Sequence, residues 1–417
     1  MAVYLDHAAT TPMLPEAAAA YAEALSIVGN PSSIHSAGQN ARQALEEARE
    51  QVAASLGCDP IEVVFTSGGT EAINLAIKGL FWARNSVPNR GSEAVPARPR
   101  PFVLVPGGEH HATIDTVEWL ERYEGAETKW LSLDPEGRLE LDSLESALTD
   151  TGDSAALASM LWVNNEIGTV QSVGTVAECA SRHGVPLHLD AVAAYGHLPI
   201  DFAALRQTSG SGRAGLLALS VSAHKIGGPV GIGALVLSRS AEVVPLVHGG
   251  GQQRNVRSGT QDVAAAVAFA AAARIATADL ESEAARITTL RNRLVRGVLG
   301  SVPRATLTGP GLDGLERVDS NAHFLFPGAQ GDSLLFLLDA AGVAVSTGSA
   351  CQAGVPEPSH VVMALGHSED EARSALRITL GRTTEDGDID AFLAALPEAY
   401  ARASRAGSAT RTTRIGG

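Results

Sequence analysis

Between residues 60 and 240, short apolar runs rich in valine, isoleucine and leucine alternate with helix-like stretches, and none of the runs alternates with polar residues. The runs fall at 61–65, 102–105, 156–162, 186–189, 216–221 and 233–237. A strand with one wet face alternates apolar and polar side chains, whereas a run apolar throughout is buried on both faces. This texture therefore predicts an α/β chain with a mainly parallel sheet covered by helices. The stretch 71–82 reads as one of those helices, and 175–183 as another that stops at Gly184.

Beyond residue 260 the texture changes. Helices near 262–278 and 283–299 are followed by 321–326, 343–346 and 374–380, which read as strands of a second, smaller α+β layer. The expected division is a large domain at 16–275 and a small one built from 1–15 and 276–400. The segments 85–101 and 208–215 read as surface insertions, and 401–417, without an acidic residue, reads as a disordered tail. No repeat of fixed period is present, so solenoids and propellers are excluded.

Composition narrows the function. Of 417 residues, 45% are hydrophobic and 18% charged, which is a globular balance. Lys+Arg 31 against Asp+Glu 46 gives a net charge of −15, a surface that repels phosphate backbones and argues against nucleic-acid binding. The longest clearly apolar run, 263–273, stops at Arg274, short of the ~18 residues a membrane span requires. The N-terminus carries Asp6 and no early basic cluster, unlike a signal peptide. Cys58, Cys179 and Cys351 form no C-x-x-C pair, which argues against a disulfide framework or an intrinsic metal module and for a reducing cytoplasm.

Three motifs carry chemistry. In SGGTEAINLAIKG, 67–79, two glycines and Thr70 open a helix after a strand. Backbone amides there form a phosphate cup, although a glycine-rich turn capped by Thr70 reads the same locally. In HLDAVAAYG, 188–196, Asp190 ends a buried strand, either as a helix cap or as the partner of a protonated heterocyclic nitrogen. In SVSAHKIGG, 220–228, Lys225 follows a strand, flanked by Ser222 and His224. It is an exposed loop lysine or, if desolvated, an amine able to form a Schiff base. Together the three supply what a pyridoxal phosphate pocket requires.

At this point the chain resembles the class V aminotransferase superfamily, and within it the group I cysteine desulfurases. The resemblance runs from YLDHAATTP to about residue 400. It includes GNPSSIH at 29–35, EHHATIDT at 109–116, VNNEIGTVQ at 163–171, HGGGQQRNVRSGT at 248–260, STGSAC at 346–351 and LRITLGR at 376–382. It implies fold type I, with a mainly parallel seven-stranded sheet in the large domain, and pyridoxal 5'-phosphate as cofactor. It implies that Gly69, Thr70, Ser222 and His224 hold the phosphate, that Asp190 pairs with the pyridine nitrogen, and that Lys225 bonds the cofactor covalently. His110 would stack on the ring and move protons, while Asn165 and Arg377 would bind the substrate carboxylate. Thr260 would reach the phosphate of a second subunit, implying a homodimer.

Cys351 lies in STGSACQAGVPEPS, a stretch without periodic apolar residues, so its thiol reads as a loop nucleophile or as a tolerated surface residue. The resemblance implies the persulfide-forming nucleophile, able to ligate a nascent iron–sulfur cluster transiently. The implied reaction converts L-cysteine to L-alanine and passes sulfur to an iron–sulfur scaffold or a tRNA-thiolation protein. Ala193 departs from the family, which places glutamine there. Two alternatives remain open on sequence: another class V enzyme such as a selenocysteine lyase or aminotransferase, and a cofactor-binding partner with weakened catalysis.

Overall fold

The computed structural model describes residues 3–86, 99–210, 212–314, 316–348 and 357–414, with side chains to residue 406. The segment 87–98, most of one expected insertion, lies outside them, and so does Cys351. In chain order the strands are β1 Val3–Tyr4, β2 Val63–Thr66, β3 Phe102–Pro106, β4 Glu127–Leu131, β5 Ala155–Leu161, β6 Pro186–Asp190, β7 Gly215–Ser222 and β8 Gly233–Leu237. After these come β9 Thr306–Leu307, β10 Asn321–Leu325, β11 Val343–Ala344 and β12 Ala375–Thr379.

Seven of them form one sheet in the order β2-β8-β7-β6-β5-β3-β4. The pairs from β7 through β4 are parallel, and β8 runs antiparallel to both neighbours. The mainly parallel seven-stranded sheet is thus as expected. Its seventh member, β4, escaped the apolar-run reading because it is a half-exposed edge strand carrying Glu127 and Lys129. Alternate residues along β3 and β8 enter two different cores. Leu104 packs with Leu45 and Val52 of the helix Ser36–Ser55 and with the helix Val263–Ala278, while Val103 and Val105 pack with the helices Gly69–Asn85 and His111–Glu124. This is why these strands carry no polar alternation.

A third core holds β10, β12, Leu5 and the helices Leu280–Ser301, Gly331–Ala340 and Asp386–Arg414. The short β1 pairs in parallel with β11, which brings the N-terminus into this smaller unit. One expectation is corrected here: residues 401–414 continue the last helix, Asp386–Arg414, instead of forming a disordered tail. The helix persists because Ala403 is buried in the small core and the Tyr400 hydroxyl donates to the Pro327 carbonyl at 2.8 Å.

Candidate active site

A cavity of about 410 Å3 opens where β5, β6 and β7 end, lined by Leu161, Asp190 and Ser222 from those strand ends. Carboxyl ends of parallel strands are where an α/β sheet leaves room for a ligand. Gly69, Thr70, His110, Asn165, Asp190, Ser222, His224, Lys225 and Arg377 all line it, brought together from across the chain. Thr260 is exposed and is not among the lining residues.

One end of the cavity suits an anion. The helix Gly69–Asn85 begins at Gly68 with no side chain capping its amides. The Ser222 hydroxyl is buried and has no hydrogen-bond partner among the described residues. A Cβ on Gly69 would stand 2.8 Å from Val192 Cγ2 and 3.5 Å from Ser222 Cβ, so glycine keeps the cradle open. The turn before the helix is fixed from afar: the Ser67 amide donates to Glu71 Oε2 at 2.6 Å, and Arg257 Nε donates to Glu71 Oε1 at 3.0 Å. His224 Nδ1 contacts Thr10 Oγ1 at 3.1 Å, and burial, reinforced by Lys225, lowers its imidazole to about 4.

Asp190 and Lys225 face the same space. Burial pushes the Asp190 carboxyl up to about 6, opposed by the Val192 amide, which donates to it at 2.9 Å, and by the Lys225 charge. A buried carboxylate in that condition favours a cationic partner. Lys225 Nζ donates to the Ala8 and Ala9 carbonyls at 2.5 and 2.9 Å. Burial lowers it to about 8, with Arg377 acting in the same direction and Asp6 and Asp190 against it. Such an amine deprotonates near neutral pH and can act as nucleophile or base.

His110 caps the helix His111–Glu124, its Nδ1 accepting from the Ala112 amide at 3.0 Å. That contact places the proton of the neutral ring on Nε2, and burial, with the Lys225 charge second, lowers the ring to about 4. Arg377 is held by Asp6 Oδ1 at 2.9 Å and by the Asn165 carbonyl at 3.0 Å, while its buried Nε and the buried Asn165 Oδ1 have no partner among the described residues. Asp6 and the Ala8 and Ala9 carbonyls were not singled out in the sequence reading, although they lie in the YLDHAATTP motif that carried the resemblance.

The other thiols are poor nucleophiles. Burial pushes Cys58 up to about 12 and Cys179 up to about 11. Glu145, Cys179 and His183 bring their donor atoms within 4.8 Å, but Arg182 already pairs with Glu145 at 3.1 Å.

Residues 3–392 match the family described as Aminotransferase class-V. The chain is 49% identical over 403 residues to an IscS-like cysteine desulfurase of Mycobacterium tuberculosis, covering 97% of each. It is 37% identical to the cysteine desulfurase IscS of Methanosarcina thermophila, covering 95% of this chain and 91% of that one. Among solved structures, a NifS-like protein superimposes with a TM-score of 0.83 at 30% identity, over 95% of this chain and 99% of the other. SspA in complex with cysteine does so with a TM-score of 0.72 at 30% identity, over 90% and 98%.

Proposed function

Because the chain belongs to the class V aminotransferase family, whose cofactor is pyridoxal 5'-phosphate, we propose that it is a cysteine desulfurase. The observation that carries the reading is one cavity uniting the unpartnered Ser222 hydroxyl at an uncapped helix start, the buried Asp190 carboxyl and the Lys225 amine of lowered pKa. These residues fit the cofactor: phosphate on Gly69, Thr70, Ser222 and His224, ring nitrogen on Asp190, carbonyl carbon on Lys225. Bound there, the cofactor supplies an electron sink that lets an amino acid lose its Cα proton.

The chain's own residues do the rest. Arg377 and Asn165 take the substrate carboxylate, a planar anion that a guanidinium matches in two bonds. Asp190 stays ionised once a cation faces it. Lys225 Nζ, held near neutrality, accepts and returns a proton at substrate carbon. His110 donates from Nε2, because its Nδ1 is committed to the helix cap. The Cys351 thiolate takes the substrate's sulfur, so that L-cysteine and a thiol become L-alanine and a Cys351 persulfide. SspA, a relative of known structure, is recorded with cysteine bound, which supports cysteine as the substrate.

The large unit, 16–275, would hold the cofactor and the small one, 1–15 with 276–400, would carry Cys351. A homodimer is part of the proposal: Thr260 lies outside its own cavity lining, and Val28, Ile34 and Val230 expose large apolar surface. The sulfur acceptor would be an iron–sulfur scaffold or a tRNA-thiolation protein met in the cytoplasm. Among the described residues no single helix is long and apolar enough to cross a membrane. Release of alanine from L-cysteine by the purified, pyridoxal phosphate-loaded protein tests the reading; alanine release no faster than from free cofactor would reject it.

A further inference from the structure

Three buried polar side chains form one row across the middle of the large sheet: Ser159 of β5, His188 of β6 and Ser220 of β7. Ser159 Oγ hydrogen-bonds His188 Nδ1 at 2.8 Å, and Ser220 Oγ hydrogen-bonds His188 Nε2 at 2.8 Å. Burial lowers the ring to about 3, so it is neutral and carries a single N–H. One serine therefore donates to the ring and the other accepts from it. Two residues further along the same strands stand Leu161, Asp190 and Ser222, which line the cavity. Side chains two apart on a strand share a face, so the row lies directly beneath the lining.

Both strands flanking β6 carry a bulge just short of this row. The β6–β7 ladder pairs Leu187 with Leu216 and then His188 with Ala218, leaving Leu217 extra. The β3–β5 ladder pairs Phe102 with Ala155 and then Val103 with Leu157, leaving Ala156 extra. A one-residue bulge reverses the face that the following side chains take. The packing records the reversal: Leu216 and Leu219 enter one core, while Leu217 and Ala218 between them both enter the other. Ala156 and Leu157 do the same between Ala155 and Ala158. Without the bulge in β7, Ser220 and Ser222 would point to the face opposite Asp190. The row of Ser159, His188 and Ser220 ties the three strands together just past the irregularities. An aliphatic side chain would fill the space without desolvating an imidazole, so packing alone does not account for it.

We propose that His188 is a positioning residue for the cofactor, a cross-brace that holds Asp190 and Ser222 at the spacing that the ring nitrogen and the phosphate require. This deepens the reading of the cavity as a pyridoxal phosphate site and rests on it. The two anchors sit on neighbouring strands whose ladder is broken below them, and the bond from His188 to Ser220 restores a cross-link at that point. A rigid ligand meets both anchors only when they are aligned. Loss of the brace leaves each anchor present but out of step, so the phosphate stays seated while the nitrogen loses its carboxylate.

The test titrates cofactor-free, full-length protein with pyridoxal 5'-phosphate and with its 1-deaza analogue, whose ring has carbon in place of the nitrogen, reading the ligand's absorbance. Wild type is expected to bind the natural cofactor about tenfold tighter or more, the worth of one charge-assisted contact. His188→Leu should lose most of that preference by weakening the natural cofactor alone, with the affinity for the analogue within about twofold of wild type. Ser220→Ala is a smaller change that decides the matter if the leucine variant does not fold, and it should lose preference in the same direction. His188→Gln, whose amide can donate to one serine and accept from the other, should restore it. Full preference in His188→Leu and Ser220→Ala, equal losses for both ligands, or a glutamine variant as impaired as leucine would each overturn the proposal. A wild type without preference would overturn Asp190 as the nitrogen's partner and this proposal together; a wild type with the preference beside unaffected variants rejects only the role of His188.

Discussion

Arg377 Nη2 donates to Asp6 Oδ1 at 2.9 Å, so a residue near the start of the chain orients the guanidinium that lines the cavity. Among the described residues, the pair leaves Nε of Arg377 buried and unpartnered beside Asn165, whose Oδ1 is also unpartnered. A substrate carboxylate would satisfy the guanidinium. Arg377→Ala should therefore raise the KM for cysteine by a factor of roughly 10 to 100, the equivalent of a charge-assisted hydrogen bond of about 1.5–3 kcal/mol, while the protein keeps its cofactor. Steady-state kinetics beside cofactor absorbance checks this. An unchanged KM would move the carboxylate site to another cation, such as Arg382.

Lys225 should be the residue that bonds the cofactor. Its amine is the lysine nitrogen in the cavity, and burial has lowered it to about 8. Borohydride reduction of the yellow protein followed by peptide mapping should place the pyridoxyl mass on the peptide containing Lys225. A label on Lys78 or Lys129 would contradict the assignment of the cavity.

Ala193 lines the cavity at the position where the family resemblance implies a glutamine. The nearby Tyr195 does not compensate, because its hydroxyl is bonded to Ser55 Oγ at 2.5 Å, away from the cavity lining. Without a second donor to its phenolic oxygen, the lysine-bound cofactor should hold its proton to higher pH than in an Ala193→Gln variant. A hydrogen bond to a charged oxygen is worth roughly 1.5–3 kcal/mol, and one pK unit is about 1.4 kcal/mol, so the shift should exceed one unit. Absorbance titrations of both proteins measure it. Superimposable curves would show that the residue does not face that oxygen.

Stability should fall steeply in mild acid. Burial holds His188 and His323 down at about 3 and His7, His110 and His224 at about 4. The unfolded chain, with histidine near 6.5, binds more protons than the folded one between about pH 4 and 6.5, so stability is complete above that window and is lost as pH falls through it. Asp190, Glu109 and His197 have raised values and oppose the trend, but the five depressed histidines outnumber them. The melting temperature of the cofactor-free protein should climb from pH 4.5 to 6.5 and flatten above. His323→Leu, which removes a ring whose two buried nitrogens have no partner among the described residues, should shallow the climb. A flat profile would contradict the burial of these rings.

Much of this arrangement was legible in the sequence because the inner strands advertise burial on both faces and the glycine, aspartate and lysine motifs sit at their ends. What escaped was set by distance or by exposure. The edge strand β4, with Glu127, Lys129 and Trp130 in solvent, has no apolar run to announce it. The Ala8 and Ala9 carbonyls that receive Lys225 are backbone groups, and no side chain marks them. Arg257 reaches Glu71 from 186 positions along the chain. The end of the last helix, past Glu398 rich in alanine, arginine and serine and without an acidic residue, resembles a loose tail until Ala403 is seen to enter the small core.

The account stands on Cys351 receiving the sulfur of L-cysteine while Lys225 and Asp190 serve the cofactor. The most direct measurement is a single turnover with 35S-labelled L-cysteine, quantifying alanine and the labelled sulfur on each cysteine peptide in wild type and in Cys351→Ser. The wild type should yield one alanine per sulfur on Cys351, and Cys351→Ser should keep its colour and bind cysteine yet carry no label. Label on Cys58 or Cys179, or undiminished protein-bound sulfur in Cys351→Ser, would contradict it.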